Sequence, residues 1–160
     1  MIIKSFELDR TSLEKYQFFL FYGENNGHKE EIIQKIVQKM KTQKTTYFEN
    51  EILSNSDVFF NSLSSKSFFE TEKLIVVSKV TDKFKGIIDE IFEKNFKDIT
   101  IILNADELNK KSKLRSFFEK EKSLICTPFY KDNYQTLARL ASNFFQKKQV
   151  SVSREIINLI

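Results

Sequence analysis

The sequence is poor in the residues that mark disulfide-bonded and metal-binding proteins. Its 160 residues include one cysteine, one histidine, one proline, three glycines and no tryptophan. The single cysteine, Cys126, excludes an intramolecular disulfide, and with the lone His28 it makes no zinc-ligand pattern. We therefore expect no metal site, and a reducing cytoplasm is the environment that this cysteine usage favours.

Long hydrophobic runs are also lacking. The first ten residues, MIIKSFELDR, carry charges and no signal-peptide core, and no run approaches the roughly 20 apolar residues of a membrane span. We therefore expect a soluble protein with no membrane partner. With 41% hydrophobic and 30% charged residues, the composition is that of a globular protein that buries one full core.

Short apolar runs alternate with helical patterns along the chain. The runs are too short for helices and too continuous for half-exposed strands, so they predict strands buried on both faces. They are Phe18–Tyr22, Thr45–Phe48, Leu74–Val77, Ile99–Leu103 and Leu124–Cys126. Helical periodicity lies between them, at Lys29–Lys41, Ser54–Leu63, Gly86–Phe96 and Leu114–Phe118. The alternation predicts an open, parallel five-stranded α/β sheet with helices on both faces.

Capping boxes predict where several helices begin. They are Thr11-x-x-Glu14, which would follow an extended piece at Ile2–Phe6, Ser54-x-x-Asp57, and Asp132-x-x-Gln135. Ser151 or Ser153 would cap a last helix from Arg154 to Ile160. Its apolar pattern continues to the final residue, so we expect a second, helical domain that is cut short in this sequence.

The loop after the first predicted strand resembles a damaged phosphate-binding loop. An active loop needs G-x-x-x-x-G-K-[ST], because backbone amides cradle the phosphates, the lysine reaches their outer oxygens and the hydroxyl holds Mg²⁺. Here Gly23 and Gly27 are one residue too close, His28 precedes Lys29, and Glu30 replaces the hydroxyl residue. We therefore predict a loop (Gly23, Gly27, Lys29) that binds no nucleotide cofactor.

The carboxylates that such a site would need are misplaced as well. No carboxylate follows Leu74–Val77 directly, where an ATPase holds its Mg²⁺. The pair Asp106-Glu107 follows the fourth predicted strand instead, and a solvated turn is its simpler explanation. No nucleophile or carboxylate relay accompanies His28, so no catalytic residue is predicted.

Two further segments suggest binding. Ser67-Phe68-Phe69 lies in a short polar connection, where two adjacent aromatic residues are either exposed anchors for a partner or core filling. The segment Asn109–Lys122 has six basic and two acidic residues and so accounts for the chain's net charge of +4. Lys110, Lys111, Lys113 and Arg115 are candidate contacts for DNA or an acidic partner, because cations at the start of a helix oppose its dipole. A solvated lysine-rich face is the equally open alternative.

Four stretches together resemble a known family. FLFYGENNGHKEE, SFFETEKLIVV, IILNADELNKKSKLRSFFE and ICTPFYKDNYQTLARLASNFF are similar to the N-terminal part of the delta subunit of bacterial DNA polymerase III, in its alphaproteobacterial form. This resemblance implies an AAA+, RecA-like sheet domain at residues 1–130. It also implies the beginning of a helical lid at 131–160, with the collar domain absent.

The resemblance further implies a function. The delta family is a non-catalytic part of the clamp loader, a component of the DNA polymerase complex that binds and opens the sliding clamp during replication. Its hydrophobic clamp-binding pair maps onto Ser67, Phe68 and Phe69, with Phe68 in place of the usual leucine. The implied partners are the sliding clamp, the other loader subunits through the collar, and primer-template DNA.

Two other functions stay open on the sequence alone. One is a P-loop-type enzyme with an atypical loop, and the other is a basic nucleic-acid-binding module that uses Asn109–Lys122.

Overall fold

A computed structural model describes residues 1–42, 44–65 and 72–157. In chain order the elements are β1 (Phe18–Tyr22), α1 (Asn26–Met40), β2 (Lys44–Phe48), α2 (Glu49–Ser54), α3 (Ser56–Ser64), β3 (Lys73–Ser78), α4 (Lys85–Lys94), β4 (Ile99–Asn104), α5 (Lys113–Lys120), β5 (Ile125–Pro128), α6 (Tyr134–Lys147) and α7 (Arg154–Ile157). Short 3₁₀ turns lie at Ser5–Arg10, Leu13–Lys15 and Asp82–Phe84.

The five strands form one parallel sheet in the order β2-β3-β4-β1-β5. Each strand lies at one of the five predicted apolar runs, so the predicted sheet is confirmed. Successive side chains along a strand point to opposite faces of the sheet, so the buried residues form two separate clusters. In β1, Phe18 and Leu20 point into one cluster with α2, α3, α4 and α5, whereas Phe19 and Phe21 point into the other with α1. Helices therefore cover both faces, and this also confirms the prediction.

The edge strand β2 departs from its predicted environment. It was expected to be buried on both faces, but Thr45, Thr46 and Phe48 are exposed and only Tyr47 packs against the core. β2 has a single strand neighbour, β3, at one end of the strand order. The strand at the other end, β5, is buried and has the N-terminal piece beside it, through the Ile2–Cys126 bridge. An apolar run of four residues cannot distinguish an edge strand from a central one.

The predicted helix starts are wrong at three places. Thr11 follows a 3₁₀ turn and donates its hydroxyl to the Glu7 carbonyl instead of capping a helix. Ser54 ends α2, a helix that the sequence did not reveal, and α3 starts after Asn55. The cap of α6 is Asn133, whose side-chain oxygen accepts a hydrogen bond from the Thr136 amide at 2.9 Å, and not Asp132.

The extended N-terminal piece lies beside β5, where Ile2 forms a parallel bridge with Cys126. At the other end of the chain Ser153 precedes α7, and its carbonyl accepts a hydrogen bond from the Ile157 amide at 3.2 Å.

The chain divides into two compact units, Met1–Phe129 and Tyr130–Ile160. The first contains the sheet and its two cores, and the second contains α6 and α7. The identification of the second unit as the start of a lid domain stays a prediction. Within the described residues, none of the helices is both long and apolar enough to cross a membrane.

Candidate functional site

The carboxyl edge of the sheet has a topological switch point between β1 and β4. The chain leaves β1 for α1 on one face, and it leaves β4 for α5 on the opposite face. Two neighbouring connections that diverge in this way open a crevice, which is where open α/β sheets bind their ligands. The predicted phosphate loop borders this crevice.

Most backbone amides of the loop between β1 and α1 donate hydrogen bonds within the protein itself. The Gly23 amide donates to the Asp106 carbonyl at 3.0 Å, and the Asn25 amide donates to the Phe129 carbonyl at 3.2 Å. The side-chain oxygen of Asn25 caps α1 by accepting from the His28 amide at 3.1 Å. Because a phosphate cradle needs amides that point at the ligand, this loop has few donors left for one.

Gly23 is required by this loop conformation. Its φ is +122°, a value that residues with a Cβ rarely adopt, and a Cβ there would lie 2.2 Å from the carbonyl oxygen of Phe129. Gly27 instead lies in the first turn of α1 with open space around it, so it does not shape the loop in the same way.

The Lys29 side chain occupies the crevice. It is 1% exposed, and its ammonium group donates to the carbonyl of Ala105, just after β4, at 2.6 Å. Burial lowers the pKa of Lys29 below its ordinary value of 10.5, although the charge of Asp106 acts in the opposite direction. The lysine that would reach a phosphate in an active loop is thus bonded to the protein backbone.

Next to this crevice, an open cleft of about 380 Å³ lies between the segments that follow β3 and β4. Lys79 and Asp106 line it and form an exposed ion pair at 3.0 Å. Asp106 is therefore a solvated residue paired with a lysine, as the simpler interpretation of the acidic pair expected. The described part of the chain brings together no group of three or more histidine, cysteine or carboxylate side chains that could hold a metal.

The single histidine and the single cysteine are both engaged in packing. The ring of His28 contacts the edge of Phe129, with centroids 5.2 Å apart. Cys126 is fully buried in β5, and burial raises the pKa of its thiol to about 12. A thiol with so high a pKa is not a nucleophile at neutral pH.

Arg115, one of the four predicted basic contacts, is partly buried and bonded within its own domain. Its guanidinium donates to the Glu119 carboxylate at 2.8 Å and to the Leu108 carbonyl at 3.0 Å. It also lies over the Tyr22 ring, 4.8 Å from the centroid. These contacts give Arg115 a structural role at the end of β1.

The first turn of α5 has an internal counterion. Asp82 accepts hydrogen bonds from the Ser112 hydroxyl at 2.5 Å and from the Leu114 amide at 3.1 Å. Partial burial alone would raise the pKa of Asp82, but these hydrogen bonds lower it below 3.8. Asp82 also attracts Lys113. A carboxylate of the protein thus offsets the unfavourable cation at this helix start, and no external anion is needed to explain it.

Lys110 and Lys111, which precede α5, are exposed. Lys113 is exposed as well, whereas Arg115 is partly buried. The role of these four residues as contacts for DNA or an acidic partner stays a prediction.

Ser67, Phe68 and Phe69 lie outside the described residues. The residues on either side are described: α3 ends at Ser64, and β3 begins at Lys73. Lys73 contacts the end of α3, and sequence reasoning missed this contact. The only signal was that Lys73 is the one cation between the Phe pair and the apolar run of β3.

The fold is similar to that of two solved structures. The chain has the AAA+-type fold shared by clamp loaders and Walker-type ATPases. The DNA clamp loader delta protein (YqeN) of Bacillus subtilis matches 96% of this chain with a TM-score of 0.68 and 14% sequence identity. This chain spans about half of that protein's length, with 50% of it covered by the match.

A second solved structure is similar over the same share of the chain. The Walker-type ATPase PABY2304 of Pyrococcus abyssi matches 96% of the chain, and 60% of its own length is covered, with a TM-score of 0.50 and 12% identity. No protein-family model and no curated protein matches the sequence. The similarity therefore shows the fold alone.

Gly23→Ala should destabilise the protein by about 2 kcal/mol or more, because the new Cβ meets the Phe129 backbone and the residue keeps a positive φ. Gly86→Ala is the matched control: it lies in α4 with no atom within 4 Å, so we expect about 0.5–1 kcal/mol of stabilisation. Urea unfolding of both variants measures the difference. Equal effects would contradict the role of Gly23 in the loop.

Lys29→Met should change how stability depends on pH. Because the pKa of Lys29 is lowered in the folded state, the unfolded chain binds more protons at high pH, and the wild-type protein gains stability as pH rises toward 10.5. The variant should lack this gain, so the free energy of unfolding of the wild-type protein should increase relative to that of the variant as the pH rises. Urea unfolding at a series of pH values tests this. Lys97→Met, at an exposed lysine, is the control, and a constant difference between wild type and Lys29→Met would refute the expectation.

Proposed function

We propose that this chain is the sheet-domain part of a non-catalytic clamp-loader subunit of the delta type, which binds and opens the sliding clamp during DNA replication. Its delta-like fold over 96% of the chain supports the class of protein. The observation that carries the non-catalytic role is the Lys29 ammonium bonded to the Ala105 carbonyl inside the crevice. A nucleotide phosphate would have to displace that contact.

Three features of the carboxyl edge support a domain without ATP hydrolysis. The amides of Gly23 and Asn25 are used within the protein. Strand β3 ends at Ser78 without a carboxylate in the position that holds Mg²⁺ in ATPases. Asp106, which follows β4, is paired with Lys79. In this proposal the chain carries no catalytic residue and needs no cofactor, and hydrolysis belongs to other subunits of the polymerase complex.

Clamp binding is assigned to Ser67, Phe68 and Phe69. Two aromatic side chains that insert into a hydrophobic pocket of the clamp supply the kind of concentrated binding energy found at interface hot spots. They would also stabilise the curvature that opens the ring, because a ligand shifts a conformational equilibrium by its difference in affinity for the two states.

The remaining partners follow from the same proposal. The other loader subunits would bind through a collar domain outside the 160 residues, with residues 131–160 forming the start of a lid. Primer-template DNA would be held by the assembled loader, with Lys110, Lys111 and Lys113 as candidate contacts of this chain. Such a complex acts in the cytoplasm.

Phe68→Ala/Phe69→Ala should lose sliding-clamp binding by at least roughly 30-fold, because a hot-spot residue contributes about 2 kcal/mol or more. Isothermal titration of the chain with the clamp from the same genome measures the loss. The double variant Phe144→Ala/Phe145→Ala removes another adjacent aromatic pair, on α6, and should keep its affinity. Unchanged affinity of Phe68→Ala/Phe69→Ala would contradict the assignment of clamp binding to these residues.

Titration with Mg-ATP separates this proposal from an atypical P-loop enzyme. We expect no heat of binding at micromolar ATP, because Lys29 and the loop amides are already bonded within the protein. The same titration of Lys29→Ala tests whether the lysine alone keeps nucleotide out, and we again expect no binding, since Glu30 and the short glycine spacing remain. Micromolar binding by the wild-type chain would favour the enzyme.

A further inference from the structure

The α-amino group of Met1 lies at the carboxyl end of α5. It donates to three backbone carbonyls, those of Phe118 at 3.1 Å, Glu121 at 2.7 Å and Leu124 at 2.7 Å. Phe118 is in the last turn of α5, Glu121 follows the helix, and Leu124 directly precedes β5. One ammonium group therefore joins the end of the helix to the start of the strand.

Backbone pairing beside β5 places the amine at this position. The Cys126 amide donates to the Met1 carbonyl at 2.9 Å, and the Ile3 amide donates to the Cys126 carbonyl at 3.0 Å. The side chain of Ile3 is buried in the core cluster that contains Ile125. The register of residues 1–3 along β5 thus fixes where the amine lies.

The three carbonyls suit an ammonium group better than a neutral amide. Carbonyls in the last turn of a helix lack partners within the helix and form the negative end of its dipole, so a cation with three donors satisfies them. Burial lowers the pKa of the Met1 amine below 8.0, and the charges of Glu119 and Glu121 act in the opposite direction. An acylated amine has no charge and a single N–H, so it can bond only one of the three carbonyls.

We infer that the Met1 α-amino group is a modification-sensitive site, and that the joint between α5 and β5 is completed only when this amine is not acylated. The inference does not depend on the proposed function. For a chain made with formylmethionine, the reaction that must come first is hydrolysis of the formamide. Water adds to the formyl carbon, the C–N bond breaks, formate leaves, and the amine takes up a proton.

Loss of the ammonium should be costly because the site is only partly open to water. The hydrogen bonds to Phe118 and Leu124 are partly buried. Water can therefore replace the lost donors only in part, and a buried carbonyl without a donor destabilises the folded state. The charge that offsets the helix dipole is lost as well.

The test compares urea unfolding of three forms of the full chain, each checked by intact-mass spectrometry. One has a free Met1 amine, one keeps the formyl group because it is expressed with deformylase inhibited, and one has Gly-Ser added before Met1. We expect the equilibrium constant for unfolding to rise about tenfold or more in the formylated form, because charge-assisted hydrogen bonds are lost. The extended form should show a similar rise, since its ammonium is displaced from the three carbonyls.

Lys15→Met, with a free Met1 amine, is the matched control. It removes an exposed cation from the same N-terminal region, and we expect the unfolding constant to change less than about threefold. Equal stability of the free and formylated forms would overturn the inference. So would an extended form as stable as the free form, or a loss in Lys15→Met as large as that caused by formylation.

The reactivity of the amine provides a second measurement if the formylated form does not fold. The unmodified chain is treated with a small acylating reagent in the presence and absence of urea, and the modified residues are identified by mass spectrometry. We expect the Met1 amine to react about tenfold more slowly in the folded chain, because it must first leave its three carbonyls. The exposed Lys15 should react alike in both states. Equal reactivity of the Met1 amine in the two states would contradict the inference.

Discussion

The hydrogen bond between the Lys29 ammonium and the Ala105 carbonyl organises the carboxyl edge of the sheet. It joins the start of α1 to the end of β4 across the switch point, 76 residues apart in sequence. A buried cation is costly unless it is bonded, so the crevice must stay narrow enough for this contact to form. The backbone bonds of Gly23 with Asp106 and of Asn25 with Phe129 close the same crevice from the loop side.

The two edges of the sheet differ in their polar contacts. At the carboxyl edge, the Lys29 ammonium and the amides of Gly23 and Asn25 donate to backbone carbonyls, and Asp106 is paired with Lys79. At the amino edge, polar contacts of Lys73 and Thr42 hold the ends of one connection.

The sheet could be predicted from sequence because its determinants are local. A short, continuous apolar run such as Phe18–Tyr22 is typical of a central parallel strand, whatever the rest of the chain does. Helix starts were harder, since Asp132 and Asn133 are both good capping residues, and only the path of the backbone decides between them. The two edge strands differ in burial, β2 being largely exposed and β5 buried, and this depends on what packs beside each strand, which no local pattern contains.

The site could be predicted only where the residues that form it are close together in the sequence. The damaged loop is visible in the spacing of Gly23, Gly27 and Lys29, but the acceptor for Lys29 comes from another strand. Likewise, the partners of Lys73 precede it by 8 and 11 residues, and nothing in the sequence marks them as acceptors.

The basic segment shows why a charge count along the chain is a weak guide to partners. Asn109–Lys122 accounts for the net charge of the protein, yet Arg115 is paired with Glu119 and lies over Tyr22. Asp82, 31 residues before Lys113, supplies the negative charge that the start of α5 needs. A helix start rich in lysine therefore does not by itself call for a phosphate, because the fold can provide the anion. Of the four predicted contacts, Lys110, Lys111 and Lys113 are exposed, and Lys120 and Lys122 of the same segment are exposed as well. Exposed lysines attract phosphates without regard to sequence, and salt screens that attraction, so their number alone does not identify a partner.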